Sequence, residues 1–265
     1  MLTDRFSQLK GLILDMDGVL WRDNEAIGNL PRIFDTIRKL GLSFVLATNN
    51  STKTIDSYLD KLNGFGVKLE PWQIIGTAQV TLEYLKQHFS AQSKIYVLGS
   101  IEMKKLFSSN GFHILELDEC PKADAVVVGL DKTVDYEKLR YASQLIRKGA
   151  RFIATNTDGT FPVPGGFIPG AGTIVKAVEV ASVTKPVIIG KPEPFLFQRA
   201  MQVMGTKPHE TMAVGDRLET DIQGAHNAGI LNALVLSGVA TIEDSKTLPF
   251  EIDLIADNLW ELLHV

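Results

Sequence analysis

Asp15 and Asp17 stand two residues apart in Asp15-Met16-Asp17-Gly18, directly behind the apolar run Gly11-Leu12-Ile13-Leu14. A carboxylate pair at this spacing can supply a nucleophile and a second acid, the needs of covalent transfer through an acyl intermediate. Taken alone, the tetrapeptide also reads as a turn that ends a strand, because Asp and Gly are common turn formers. Other polar groups follow apolar runs in the same way: Thr48, Asn49 and Asn50 after residues 44–47, Lys191 after residues 186–189, and Asp216 with Asp221 after residues 212–214. Three acids suit a hard divalent cation such as Mg²⁺, which takes oxygen ligands and keeps several waters. A lysine with short hydroxyl and amide side chains suits a phosphoryl group bound beside that cation.

These groups span some 200 positions, so only a fold that brings distant strand ends to one edge can gather them. An open parallel sheet does so, and it binds ligands beyond the carboxyl ends of its strands. Short apolar runs, the mark of strands buried on both faces, occur at residues 11–14, 44–47, 95–98, 125–128, 152–154, 186–189, 212–214, 233–236 and 252–255. Helical periods alternate with them. Residues 30–40 carry Pro31 in the first turn and Gly41 just past the end, as helix ends prefer. Ser51 or Thr52 is placed to cap the next helix, whose apolar face is Ile55, Tyr58, Leu59 and Leu62. Further helices are expected at 78–89, 101–108 behind Ser100, 136–148, 173–181, 194–204, 221–228 and 259–263. Residues 159–172 are rich in Gly and Pro and read as irregular. Repeated strand–helix units predict an α/β protein with a parallel sheet and right-handed crossovers.

Composition narrows the functional classes. The 265 residues are 45% hydrophobic, enough for a sizeable core, and the net charge of −4 comes without a basic block. That argues against a nucleic-acid surface. A single cysteine, Cys120, rules out an intrachain disulfide or a cysteine-based zinc cluster. No apolar run approaches the roughly 18 residues of a membrane span, and the run at residues 11–14 is too short for a signal peptide. A cytoplasmic, soluble protein with no membrane partner is expected. His88, His113, His209, His226 and His264 show no metal-ligand spacing and read as surface or packing residues. Trp21 reads as packing rather than as a platform for substrate.

The ordered set resembles the four motifs of the haloacid dehalogenase-like hydrolases: Asp15-Met16-Asp17-Gly18-Val19, Thr48 in Leu46-Ala47-Thr48-Asn49-Asn50-Ser51, Lys191 in Gly190-Lys191-Pro192, and Gly215-Asp216-Arg217-Leu218-Glu219-Thr220-Asp221. The Thr-Asn-Asn form, with roughly 140 residues between the second and third motifs, is similar to the nitrophenylphosphatase-like and NagD-like phosphatases. The resemblance implies a Rossmann-like parallel-sheet core of residues 1–78 and 184–265, with a smaller α/β cap inserted at 79–183. It implies a Mg²⁺-dependent phosphomonoesterase of small phosphorylated metabolites. Asp15 would become an aspartyl phosphate, and Asp17 would serve as acid and then base. Mg²⁺ would be held by the Asp15 carboxylate, the Asp17 main-chain carbonyl and Asp216, with Asp221 in support. Thr48, the Asn49 amide and Lys191 would hold the phosphoryl oxygens. Asn50, Arg217 and, in the cap, Asn156 and Asp158 are further candidates for substrate contact, with turn formation or a plain surface charge as their other reading. A homodimer through the cap is also implied.

Other chemistries stay in view. A phosphomutase or phosphotransferase would use the same residues with a cap that excludes water. Dehalogenation needs no metal, so Asp17 and the Asp216/Asp221 pair speak against it. A non-enzymatic phospho-acceptor module would leave the second α/β set unexplained. Gly170-Ala171-Gly172 opens like a dinucleotide fingerprint, but Val175 replaces its third glycine and no strand precedes it.

Overall fold

The computed structural model describes residues 1–119, 121–163 and 165–265; Cys120 and Pro164 lie outside the described residues. The chain divides into two compact units, one of Met1–Thr48, Ile55–Ile75 and Lys191–Val265, the other of Asn49–Thr54 and Gly76–Gly190. It passes between them after Thr48, Thr54, Ile75 and Gly190.

In the first unit, the strands run in the order Leu254–Ala256, Leu231–Val235, Thr211–Gly215, Gly11–Leu14, Ser43–Thr48 and Ile74–Gly76. Gly11–Leu14 is central, pairing in parallel with Thr211–Gly215 and with Ser43–Thr48. Alternate side chains serve opposite faces. Leu12, Leu14, Phe44, Leu46, Met212, Val214, Ala233 and Val235 pack with the helices Leu30–Lys39, Ile55–Gly64 and Leu259–Leu263. On the other side Leu234 packs with Leu218, Ile222 and Ala240. Local chemistry sets the helix ends. The Asn29 side chain accepts from Arg32 N–H, Pro31 sits in the first turn, and Arg38 and Lys39 close Leu30–Lys39.

The second unit has its own parallel sheet, in the order Val187–Ile188, Arg151–Ala154, Ala125–Val128, Lys94–Leu98 and His113–Leu115. Tyr96, Leu98, Val126, Val128, Phe152 and Ala154 pack against the helices Tyr136–Arg147 and Ala171–Ser182. The α/β class, the parallel sheets and the Rossmann-like core with an inserted α/β unit hold as expected.

Four local expectations are corrected. Residues 186–189 do not return the chain to the first sheet: Val187–Ile188 pairs with Arg151–Ala154, so Lys191 follows a strand of the other sheet. Residues 159–172 are not irregular. Thr160–Val163 pairs antiparallel with Gly166–Pro169, and Ala171 already begins a helix. The glycines there mark a hairpin turn, with Gly165 and Gly166 at positive φ. Among the described residues neither Ser51 nor Thr52 caps the helix, which starts at Ile55, four and three residues further on; instead Asn50 Oδ1 accepts from Thr52 N–H and Oγ1–H, an Asx turn. Residues 221–228 are not one helix either. Leu218–Ile222 forms a wide π-type turn before Gln223–Ala228, a device frequent at functional sites. Among the described residues no helix is long and apolar enough to cross a membrane.

Candidate active site

Asp15 directly follows the central strand, and its N–H donates to Val214 O at 2.9 Å, extending the ladder by one residue. Thr211–Gly215 lies beside it and delivers Asp216 at its own end. The π-type turn then returns Asp221, whose Oδ2 accepts from Arg217 N–H at 3.1 Å. One oxygen from each of Asp15, Asp216 and Asp221 lies within 4.8 Å of the others.

Lys191 is threaded into this acidic group. It is buried, and its Nζ donates to Asp15 Oδ1 at 2.5 Å, to Asp221 Oδ1 at 2.6 Å and to Ala47 O at 3.2 Å. A buried charge is costly unless paired and hydrogen-bonded; here one ammonium meets two carboxylates and a carbonyl. Burial would lower the Lys191 pKa, but Asp15 and Asp221 overcome it and hold the amine firmly protonated. Asp15 is shifted well above the ordinary carboxylate range: burial raises it most, Lys191 pulls it down, and Asp221 and Asp216 push it up again. Asp216 is pushed up to about 7, by burial first and then by Asp221, against the N–H of Val239 and the charge of Arg217.

Asp216 is held in a way the motif pattern did not reveal. Its Oδ2 accepts from Val239 N–H at 2.8 Å, and its main-chain O accepts from Ala240 N–H at 3.0 Å. A Cβ at Gly238 or at Gly18 would collide with the Asp216 carboxylate, and Gly18 stands at φ +85°. Ser237 Oγ–H donates to Gly18 O at 2.7 Å, tying the two loops together. Asp216 Oδ1, buried, has no hydrogen-bond partner among the described residues.

Asp17 contributes no side-chain oxygen to the acidic group. Residues 16–21 wrap into one turn, closed by Leu20 N–H on Met16 O and Gly18 N–H on Trp21 O, both at 2.8 Å. Within it Trp21 Nε1–H donates to Asp17 Oδ1 at 2.8 Å. Thr48 is the buried last residue of its strand. Arg217 is half-buried.

The remaining candidates belong to the second unit. Asn49 Nδ2–H donates to Asp158 Oδ1 at 3.0 Å, and Asn49 O accepts from Asn156 Nδ2–H at 2.7 Å and from Thr77 Oγ1–H at 3.0 Å. Asp158 N–H in turn donates to Asn156 Oδ1 at 3.1 Å. Asn156 and Asp158 thus grip the residue after Thr48, while Asn50 is engaged in its own turn. The sequence reading missed the 237–239 loop and the polar use of Trp21. The loop follows the strand Leu231–Val235, so the rule that found the other groups points to it too, although no charged residue draws attention there.

A strand-end carboxylate, a buried lysine and an acid cluster meet at one sheet edge. Residues 12–113 match the haloacid dehalogenase-like hydrolase family model, and residues 188–262 match a HAD-hydrolase-like model. The chain is 34% identical over 244 residues to an acid sugar phosphatase of Staphylococcus aureus, covering 91% of this chain and 93% of that one. It is 35% identical over 234 residues to the 5'-nucleotidase YutF of Bacillus subtilis, covering 88% and 90%. Its structure superposes on the crystal structure of 4-nitrophenylphosphatase from Thermotoga maritima with a TM-score of 0.89 at 34% identity, covering 98% of each chain. The chain belongs to the haloacid dehalogenase-like hydrolases. Within them it is a phosphatase, of the kind to which 4-nitrophenylphosphatase belongs.

Proposed function

We propose that the protein is a Mg²⁺-dependent phosphomonoesterase that forms an aspartyl phosphate on Asp15 and acts on small phosphorylated metabolites, sugar phosphates or nucleotides. The observation that carries this reading is the Asp15–Lys191–Asp221 ion cluster beside the unpartnered Asp216 Oδ1. The acid sugar phosphatase and the 5'-nucleotidase among its relatives suggest the two substrate classes.

The residues present fit a hard cation. Every side-chain donor is a carboxylate oxygen, as Mg²⁺ prefers, and a buried acceptor with no donor is what a cation would satisfy. Both Asp221 oxygens already accept hydrogen bonds, one from Lys191 and one from Arg217 N–H. This favours Asp15, Asp216 and the Asp17 carbonyl as direct ligands, with Asp221 acting through water. When bound, the cation would supply positive charge to the phosphoryl oxygens and to the nucleophile.

The chain's own residues carry the chemistry. An Asp15 carboxylate oxygen attacks phosphorus while the ester P–O bond breaks, and the leaving oxygen takes a proton from Asp17. Water then attacks phosphorus and gives its proton to Asp17, the bond to Asp15 breaks, and phosphate leaves. Lys191 opposes the burial that raises the Asp15 pKa and orients its carboxylate, and its positive charge offsets repulsion of the incoming anion. Thr48 and Arg217 would steady the phosphoryl group. Hydrolysis of p-nitrophenyl phosphate, of a sugar phosphate and of a nucleoside monophosphate with Mg²⁺, with and without EDTA, tests the proposal. Turnover abolished by EDTA and restored by excess Mg²⁺ is expected; turnover indifferent to chelation would refute it.

A further inference from the structure

We propose that Trp21 is the positioning residue for Asp17: its indole N–H aims the carboxyl group and settles which of its oxygens handles the proton. The inference rests on the reading of Asp17 as acid and base given above.

Trp21 Nε1–H donates to Asp17 Oδ1 at 2.8 Å. An indole N–H can only donate, so Oδ1 is committed as an acceptor and Oδ2 is the oxygen that carries a proton. Asp17 itself is half-buried on a short turn, where a lone carboxyl group would be free to rotate. The donor, in contrast, is fixed. Trp21 is fully buried and stacks on Phe65 with centroids 6.0 Å apart and planes at 28°. Lys61 Nζ lies 4.2 Å from the Trp21 ring centroid and donates to Asp23 O at 2.6 Å. A cation over the indole face is held by the π electrons and polarises the ring, making its N–H a stronger donor. The turn closed by Gly18 N–H on Trp21 O sets the span between the two residues. Packing alone would be served by any large ring at this position. The directed N–H is the part that packing does not require, and it ends on the one carboxylate of the first motif that the acidic group leaves out.

The test compares two leaving groups in the Mg²⁺-loaded enzyme. An alkoxide needs a proton to leave, whereas p-nitrophenolate is a weak base and needs little help. Trp21→Phe keeps a buried ring and removes the N–H. It should lower kcat on a simple alkyl phosphate by about 10-fold or more, with a several-fold smaller loss on p-nitrophenyl phosphate and little change in KM, since a positioned acid is worth roughly 10²–10⁴. Equal losses on both substrates would overturn the proposal. Asp17→Asn separates the premise from the inference. It should shift the same alkyl-to-aryl ratio further. An unshifted ratio in Asp17→Asn removes the acid reading and the proposal with it, whereas a ratio shifted by Asp17→Asn but untouched by Trp21→Phe overturns the proposal alone. If Trp21→Phe does not fold, the NMR resonance of the Trp21 indole proton decides. It should lie downfield in the native enzyme and move upfield in Asp17→Ala; an unmoved resonance would show that the hydrogen bond is not made.

Discussion

The sheet centred on Gly11–Leu14 and the sheet centred on Ala125–Val128 share a parallel plan, yet their carboxyl edges differ. At the first edge the half-buried Asp15 meets the buried Asp216, Asp221 and Lys191. At the second edge its three inner strands are followed by Gly99, Gly129 and Thr155-Asn156, and main-chain bonds dominate there: Gly190 N–H donates to Thr155 O at 2.7 Å and Asn156 Nδ2–H to Asn49 O at 2.7 Å. Asp131, just beyond Gly129, makes the contrast sharper. Burial would raise its pKa, but hydrogen bonds from Thr133 and Lys138 hold it below the usual range, whereas Asp216 is pushed up to about 7. One acid is fully satisfied by its surroundings and the other is left wanting positive charge. Similar architecture thus gathers a charge cluster at one edge and main-chain anchors at the other.

The comparison can be broken most sharply at Asp15. Asp15→Asn should reduce kcat on p-nitrophenyl phosphate by at least ~10⁴-fold, as loss of a covalent nucleophile does, with an unchanged far-ultraviolet circular dichroism spectrum. Residual turnover near the native level would deny the first edge its chemistry. Lys191→Met should come next, leaving the buried Asp221 and half-buried Asp15 carboxylates without their cation and costing about 3–5 kcal/mol in urea unfolding. A loss under about 1 kcal/mol would mean that the cluster is open to water.

Acidity offers a further lever. In protein stripped of divalent ions, the folded Asp216 pKa of about 7 exceeds its unfolded value of 3.8, so the folded state binds the extra proton. Stability from this group is therefore full below pH ~4 and is lost as pH rises towards ~7, by an amount on the order of a few kcal/mol. The upward shift of Asp15 acts in the same direction. Thermal unfolding across that window should show the fall, and Mg²⁺ should flatten it; stability that rises over the same range would contradict the assignment. The smallest effect belongs to the second edge. Asn156→Ala should cost about 1–2 kcal/mol, the value of buried hydrogen bonds left unmade, while changing kcat on p-nitrophenyl phosphate by less than about 10-fold. Abolished turnover would place chemistry at both edges.

Much of this site was legible before any coordinates. Asp15, Asp216 and Thr48 each follow a short apolar run, and a parallel sheet needs only that pattern to gather them. Lys191 was found for a reason that proved incomplete. Four apolar residues at 186–189 announce a strand, but strand pairing is non-local, and nothing in Pro-Val-Ile-Ile says which sheet it joins. The hairpin at Thr160–Val163 and Gly166–Pro169 was hidden because its Gly and Pro residues outweigh two short pairs of β-formers. Asp221 lies beside Asp15 and Asp216, though on a π-type turn rather than the regular helix its neighbours suggest, with Arg217 N–H donating to its carboxylate. Trp21 shows the deepest limit. Its burial was anticipated, but a sequence cannot tell a ring that merely fills space from one whose N–H has a destination.

The central position of Gly11–Leu14 has a consequence for synthesis. This strand has one of its two neighbours, Thr211–Gly215, about 200 residues downstream. Its exposed edge must wait through translation of the whole inserted unit, which can complete its own sheet in the meantime. The nascent chain therefore carries an unfinished, adhesive strand while the inserted unit is made, and the acid cluster is assembled only once Asp216 and Asp221 have followed it.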